Sequence, residues 1–481
     1  MTLTATVSSP TANGALSFFD GGNLLGTSGL SGGTPNTATF ALNASTLGAP
    51  LSFGAHSFTA QFSGDATDAA SNSNTVLYNV TAPNFVVNTT SDDDGSFTCT
   101  SLASTTSNTT DGNNGGTPGQ CTLRDALNTA SGLGAGSIYF DTTVFAASNL
   151  AANPAANTIA VNVPAWGSLN IQSNATIQGL TSGSGATLTN LVTVDGGGSS
   201  VVDNGTNFYV PGSGTAINNL NINNGYAANG GSGGAITNAS SITVSGSTFT
   251  GNQATGSGGA IFNGGSLTVM NSTFTSNSAR GGNGGAIDNS NFEGCGTVTV
   301  SNSTFYQNTA ANGGNGYGGA INNDGNGPCQ VTVNSSTIVG NSTDNSNSYT
   351  GFPGSGGGGG INSQYLLYLT NNVITANTIS GGGEDDVDDN IWGSNYWAGN
   401  NLNSGNNIIS GNFIGLWNGF TENGTNVAMA PLANFGGPTQ TMIPLPGSVA
   451  ICAGISRRDQ AGRLSKGRRG IEARRSSRPS P

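Results

Sequence analysis

Residues 259–277 read GAIFNGGSLTVMNSTFTSN, and the chain restates this phrase between about residue 215 and residue 380. A glycine-led Ile stands at Ile236, Ile261, Ile287, Ile321 and Ile361, and a later apolar anchor at Phe249, Phe274, Phe305, Ile338 and Ile374. Three residues after each anchor comes an Asn: Asn252, Asn277, Asn308, Asn341 and Asn377. Successive anchors are 25, 31, 33 and 36 residues apart, so the anchors persist while the stretches between them lengthen. That behaviour marks a solenoid, whose coils absorb insertions in the loops between fixed strands.

Between the two anchors lie ITVSGSTF, LTVMNSTF, VTVSNSTF and VTVNSSTI, in which apolar and polar residues alternate. Period two inside a unit of one superhelical turn predicts parallel strands, each stacked ~4.8 Å from its counterpart on the next coil. Glycine pairs then serve the tight corners, where a positive φ or a missing Cβ is needed. The Asn after each anchor suits a ladder in which every amide bonds its counterparts above and below. Burying one large apolar side chain stabilises by roughly 1.5–3 kcal/mol, and ordering the backbone costs ~1–2 kcal/mol per residue. With about four inward side chains, a single coil cannot offset that cost, so stacking is obligatory.

Glycine accounts for 78 of the 481 residues, far above the usual ~7%, yet hydrophobic residues still make up 35%. The chain therefore has a core to bury. Nine of the 11 Lys and Arg fall between Arg457 and Arg478, leaving only Arg124 and Arg280 before them. Of the 23 acids all but Asp459 and Glu472 precede that tail. Such an acidic body repels phosphate, which excludes nucleic acid as a partner. The sequence contains no run of about 18 apolar residues, so no transmembrane helix is expected.

Residues 1–82 alternate apolar and polar through LTATV, ALSFFDGGNLLG, TATFALN, HSFTAQFSGD and NTVLYNV, with Gly and Asn between the runs. This pattern describes a small antiparallel β-sandwich. The stretch resembles the bacterial Ig-like repeats of surface proteins, entered at their second strand, which implies an N-terminally truncated domain. MTLTATVSSP carries no basic-then-apolar signal pattern, so a true start upstream is expected. Residues 83–120 read as a linker and entry to a cap. In CTLRDALNTASGLGAGSIYF, Leu123, Ala126, Leu127 and Ala130 fall at helical spacing and Gly132 supplies a stop. An amphipathic helix here would cover the open edge of the first coil. Arg124 and Asp125 either pair at its rim or face water, the solvated state being the default for an exposed pair.

Further resemblances rest on particular motifs. The GGAI plus STFxxN unit resembles the polymorphic outer membrane protein repeat of right-handed parallel β-helices. CTLRDALNTA is similar to the cap that opens many secreted β-helix proteins. PLANFGGPTQTMIPLPGSVAICAG, residues 431–454, resembles the C-terminal region of the choice-of-anchor Q group. These resemblances imply an all-β chain: a pectate-lyase-like, right-handed, single-stranded parallel β-helix over 121–455 with an N-terminal cap helix, preceded by the small Ig-like sandwich. Residues 456–481 depart from the pattern and read as a basic, structureless tail or a frameshifted end, on which no function is built.

Polysaccharide lyases and hydrolases share this fold, so catalysis has to be weighed residue by residue. A lyase needs Ca²⁺ on several carboxylates and a Lys or Arg base; within the repeats only Arg280 is available, in the loop ARGGNGG. A hydrolase needs convergent carboxylates. Asp288 and Asp324 follow GGAI and GGAIN in nearly equivalent places, which would set them on adjacent coils as a pair. Glu384, Asp385, Asp386, Asp388 and Asp389 form the densest acid cluster, a weak Ca²⁺ candidate set against a solvated charge run. Tyr349, Phe352, Tyr396 and Trp397 are candidates for stacking on sugar rings, while Trp392 and Trp417 suit a cover for the last coil. His56, the single histidine, excludes a Ser-His-Asp triad in the repeats and any multi-histidine metal site. Cys295 and Cys329 share nearly one register on neighbouring coils, close enough for a disulfide, and Cys99 and Cys121 form a second candidate pair. Cys452 is left over.

The reading is a secreted or cell-surface module for adhesion to glycans or other surfaces, without catalysis. The alternatives are a polysaccharide lyase or glycoside hydrolase and a passive spacer. No cofactor is required beyond a possible Ca²⁺, and a monomer is expected.

Overall fold

The computed structural model describes residues 1–47, 54–80, 82–93, 95, 99, 120–162, 165, 167–171, 174–198, 208–290, 296–313, 316–324, 329–344, 357–379, 407–409, 427–437 and 439–451, and the backbone alone of the strands at 383–389, 412–414 and 421–423. It divides into two compact units, one over Met1–Asn84 with Ala135–Ser137, the other over Phe85–Gly134 and the chain from Ile138.

In the first unit the alternation of ALSFFD over Ala15–Asp20 buries Leu16 and Phe18 on one side of a strand. This strand pairs antiparallel with Asn23–Gly29 and Gly54–Phe62. The intervening DGGN turn runs through Gly21 and Gly22 at φ 56° and 93°, the left-handed geometry that a two-residue hairpin requires. Ser71–Asn72 and Val76–Val80 complete a five-stranded sheet, and Thr2–Val7 pairs with Asn36–Ala41 in a second sheet. Their core holds Leu16, Phe18, Ala38, Ala60 and Phe62. His56 is buried with Nδ1 2.6 Å from Asp20 Oδ2, a structural placement.

The second unit is a parallel β-helix with three long faces. On the isoleucine face Ile236–Asn238, Ile261–Asn263, Ile287–Asn289, Ile321–Asn323 and Ile361–Ser363 stack in register. The valine face stacks Ser241–Ser245, Ser266–Met270, Thr297–Ser301, Gln330–Asn334 and Leu366–Thr370. The phenylalanine face stacks Thr248–Thr250, Thr273–Thr275, Thr304–Tyr306, Thr337–Val339 and Val373–Thr375. All ten anchors, Ile236, Ile261, Ile287, Ile321, Ile361, Phe249, Phe274, Phe305, Ile338 and Ile374, are fully buried. The rings of Phe249, Phe274 and Phe305 lie parallel at centroid distances of 4.6 and 4.7 Å, one coil apart.

Side-chain ladders hold the corners. The one expected from sequence runs through Asn252, Asn277, Asn308, Asn341 and Asn377, each Nδ2 donating to the next coil's Oδ1 at 2.8–2.9 Å. A second, not foreseen, links Asn238, Asn263, Asn289 and Asn323 to Ser363. In a third, the backbone N–H groups of Ser247, Ser272, Ser303, Ser336 and Asn372 donate to the side chains one coil on. The Ser of each STF motif thus satisfies a buried donor that would otherwise be costly. In the glycine pairs, Gly258, Gly284 and Gly318 have φ of 66°, 66° and 64°. Their neighbours need absent side chains: a Cβ on Gly259, Gly285 or Gly319 would stand 2.1–2.2 Å from a carbonyl oxygen of the next coil.

The head of the stack is closed by a helix, α1, over Leu123–Leu133, which buries Leu123, Ala126, Leu127 and Ala130. Thr122 and Asp125 form a reciprocal capping box at its start, and Gly134 at φ 78°, rather than the expected Gly132, which lies inside the last turn, ends it. Two further expectations change here. Arg124 is not solvated: it is 5% exposed and its guanidinium grips Asp92 at 2.8 and 2.9 Å, while Asp125 turns to the cap instead. The stretch from residue 83 also begins with core, since Asn84–Val87 joins the nine-stranded sheet and buries Phe85 and Val87. Cys99 is joined to Cys121, with Cα atoms 5.5 Å apart.

Candidate functional site

Asp288 lies on the outward side of the isoleucine face, where the equivalent positions are Thr237, Phe262, Asn322 and Asn362. Its in-register partner is thus Asn322, and Asp324 lies two residues further along that coil. The expected equivalence of Asp288 and Asp324 is corrected by this offset, because Asp288 stands one residue after the Ile of its coil and Asp324 three residues after the paired Ile321. Thr237 and Phe262 are partly exposed, whereas Asp288, Asn322 and Asn362 are fully buried.

These buried groups form one hydrogen-bonded row. Asn362 Nδ2 donates to Asn322 Oδ1 at 2.6 Å, and Asn322 Nδ2 donates to Asp288 Oδ1 at 2.7 Å. Ser290 Oγ donates to Asp288 Oδ2, and Asn283 Nδ2 donates to Asp324 Oδ2 at 2.9 Å. Burial, reinforced by the negative charge of Asp324, pushes the Asp288 carboxyl up to about 8 from 3.8. Burial also raises Asp324. A raised acid is what a general acid needs, but Asp288 is sealed from a sugar chain and its oxygens are engaged by Asn322 and Ser290.

The remaining expectations fall unevenly. Tyr349, Phe352, Tyr396 and Trp397 lie outside the described residues, as do Trp392, Trp417, Cys295, Cys452 and residues 456–481. Glu384, Asp385, Asp386, Asp388 and Asp389 sit on a strand that continues the isoleucine face, with Asp388 in register with Asn362; their side chains are outside the described residues. Cys329 is buried and disulfide-bonded. Among the described residues no three His, Cys, Asp or Glu side chains gather as metal ligands, and no helix is long and apolar enough to cross a membrane.

A second feature involves residues 431–454, which stood out in the sequence only by a motif resemblance that carried no position in the fold. The segment from residue 427 to 451 folds back along the corner between the valine and phenylalanine faces as an irregular hairpin, with antiparallel bridges Met429–Pro444 and Ala433–Thr441. Thr439 Oγ1 donates to the Asn271 carbonyl at 2.9 Å, Thr441 and Thr304 hydroxyls meet at 2.8 Å, Thr273 Oγ1 donates to the Gln440 carbonyl, and Asn434 Nδ2 reaches the Leu188 carbonyl. Between hairpin and corner runs a groove of about 410 Å³. Among the described residues its lining is uncharged and combines amides, hydroxyls and the exposed ring of Phe435.

Residues 1–81 match the family model of the bacterial Ig-like domain (group 3). No curated protein matches the chain. Among solved structures, the family 28 exopolygalacturonase of Yersinia enterocolitica aligns over 88% of this chain and 96% of its own, at 9% identity and a TM-score of 0.24. The chain thus joins a unit similar to bacterial Ig-like domains to a capped parallel β-helix.

Proposed function

We propose that this chain is a non-catalytic binding module of a bacterial cell exterior, directed at glycans by the flank of its coil stack. The observation that carries this reading is the flank itself. Thr243, Thr268, Thr299 and Thr332 stand in register on the outer side of the valine face, and Ser245, Met270, Ser301, Asn334 and Thr370 form a parallel row. Uncharged side chains, all but Met270 of them hydroxyls or amides, repeated at strand spacing suit the hydroxyls of a polysaccharide, which repeat along its chain. An Ig-like unit ahead of the stack supports an extracellular setting, and a surface or secreted location belongs to the same proposal. So do the assignment of the repeat to the polymorphic outer membrane protein type and of residues 431–454 to the choice-of-anchor Q type.

The test applies the full chain to neutral and acidic polysaccharides, with and without Ca²⁺, and follows both retention and chain length. Retention without shortening is expected. Shortening of any polysaccharide would overturn the reading in favour of a lyase or hydrolase, and neither retention nor shortening would leave a spacer.

A further inference from the structure

The groove beneath the C-terminal hairpin has the makings of a defined subsite. Each corner between the valine and phenylalanine faces passes through one left-handed residue: Asn219, Gly246, Asn271, Asn302 and Ser335, at φ 56°, 58°, 50°, 47° and 51°. Asn tolerates this conformation best among residues with a side chain. The repetition has a second consequence, because a left-handed corner projects its side chain outward, so the amides stand in file along the helix axis. At ~4.8 Å per coil the file from Asn219 to Ser335 runs about 19 Å.

Among the described residues the amides of Asn219, Asn271 and Asn302 have no hydrogen-bond partner, unlike the buried ladder amides such as Asn252 and Asn277. Each therefore offers a carbonyl acceptor and two N–H donors to whatever enters. Gly246 interrupts the file and opens the floor of the groove. On the other wall Phe435, 43% exposed, presents a ring near the hairpin tip, where Gly436 has φ 117°. The hairpin is anchored on the coils by Thr439 and Thr441, so this wall is built into the fold.

We infer that this groove is a binding site for a neutral oligosaccharide, with pyranose hydroxyls bonded by the Asn219, Asn271 and Asn302 amides and a sugar face stacked on Phe435. The groove falls within the volume range of small-ligand sites, and its mainly polar lining with one aromatic ring suits a hydroxyl-rich ligand rather than an apolar one. The neutral class follows from charge. Among the described residues no Lys, Arg or His lines the groove, and of the two Arg before the tail Arg124 is committed to Asp92. A polyuronate, with a carboxylate on every unit, would enter an acidic body without a cation to receive it. The coil step of ~4.8 Å is close to the length of one pyranose unit, so Asn271 and Asn302, on adjacent coils, meet successive sugars, and Asn219, two coils from Asn271, meets the sugar two units away.

This inference rests on the glycan-binding reading, and the test separates the two. Wild-type full chain and the variants Phe435→Ala and Asn271→Gly/Asn302→Gly are titrated with soluble β-glucan, galactomannan and chitin oligosaccharides, and with polygalacturonate and alginate as acidic counterparts. Glycine preserves the left-handed corner while removing the amide, and Phe435 is exposed, so both variants retain the fold; the far-ultraviolet spectrum and melting temperature check this. A neutral glycan bound by wild type, with affinity reduced tenfold or more in both variants, is the expected result. Binding that neither variant weakens would overturn the groove and leave glycan binding elsewhere on the flank. Binding confined to polyuronates would overturn the neutral class, and binding to none of the five would overturn both the inference and the reading beneath it.

Discussion

Asp288 shows how far one residue's environment can depart from its sequence context. In the sequence it is an acid in a Gly/Asn loop phrase; in the fold it is fully buried. Its folded-state value of about 8 lies above the ordinary 3.8, so the native state binds the proton more tightly than the unfolded chain. Stability from this group is complete below about pH 4 and declines as the pH rises toward 8. Asp288→Asn, which mimics the protonated acid, should flatten that decline and raise the melting temperature at pH 8. In a unit of several hundred residues a kilocalorie moves the midpoint by roughly 1–2 °C, and scanning calorimetry at pH 4 and pH 8 on both proteins reads the difference; parallel pH profiles would contradict the burial. Phe274 lies between Phe249 and Phe305 with no exposed surface, and Phe274→Ala should cost ~3–5 kcal/mol in denaturant titration. A loss below ~1 kcal/mol would mean that the ring faces outward and that the register is wrong.

At the scale of the element, the strand registers were legible because period-two patterning tolerates no slip of one residue. Ile236 to Ile361 and Phe249 to Ile374 pair as their spacing indicates. Two of the three ladders were not legible. The Asn of GGAIxN and the Ser of STF look like polar residues of a turn, and only the closed coil turns them inward. Glycines divide in the same way, and one substitution should act with opposite signs. Gly285→Ala brings a Cβ to 2.1 Å from the Gly319 carbonyl oxygen, overpacking that should cost at least ~1–3 kcal/mol. Gly132→Ala, on α1 with nothing within 4 Å of its Cβ, should stabilise by up to ~1 kcal/mol through helix propensity. Chemical denaturation of the two variants measures both, and equal effects would contradict the packing at the corner.

For the whole molecule, the stack is a series of nearest-neighbour contacts, so its head needs a separate device. Helix α1, the Arg124–Asp92 pair and the Cys99–Cys121 bridge supply it. Replacing both cysteines with Ser should lower stability by ~2–4 kcal/mol, since the bridge closes a span of 22 residues. Unchanged melting of that variant would mean that the cap holds without it. Sequence by itself determined the coil, its inward rows, the Asn252 ladder and the amphipathic cap, because each depends on residues a short and regular distance apart. Only the tertiary structure decided that Phe262 is partly exposed while Asp288 at the same position is sealed, and that residues 427–451 lie against Asn271 and Thr304. Coil periodicity fixes which way a strand residue points, whereas what covers its outer side comes from loops of unequal length and from a hairpin more than a hundred residues away in the chain.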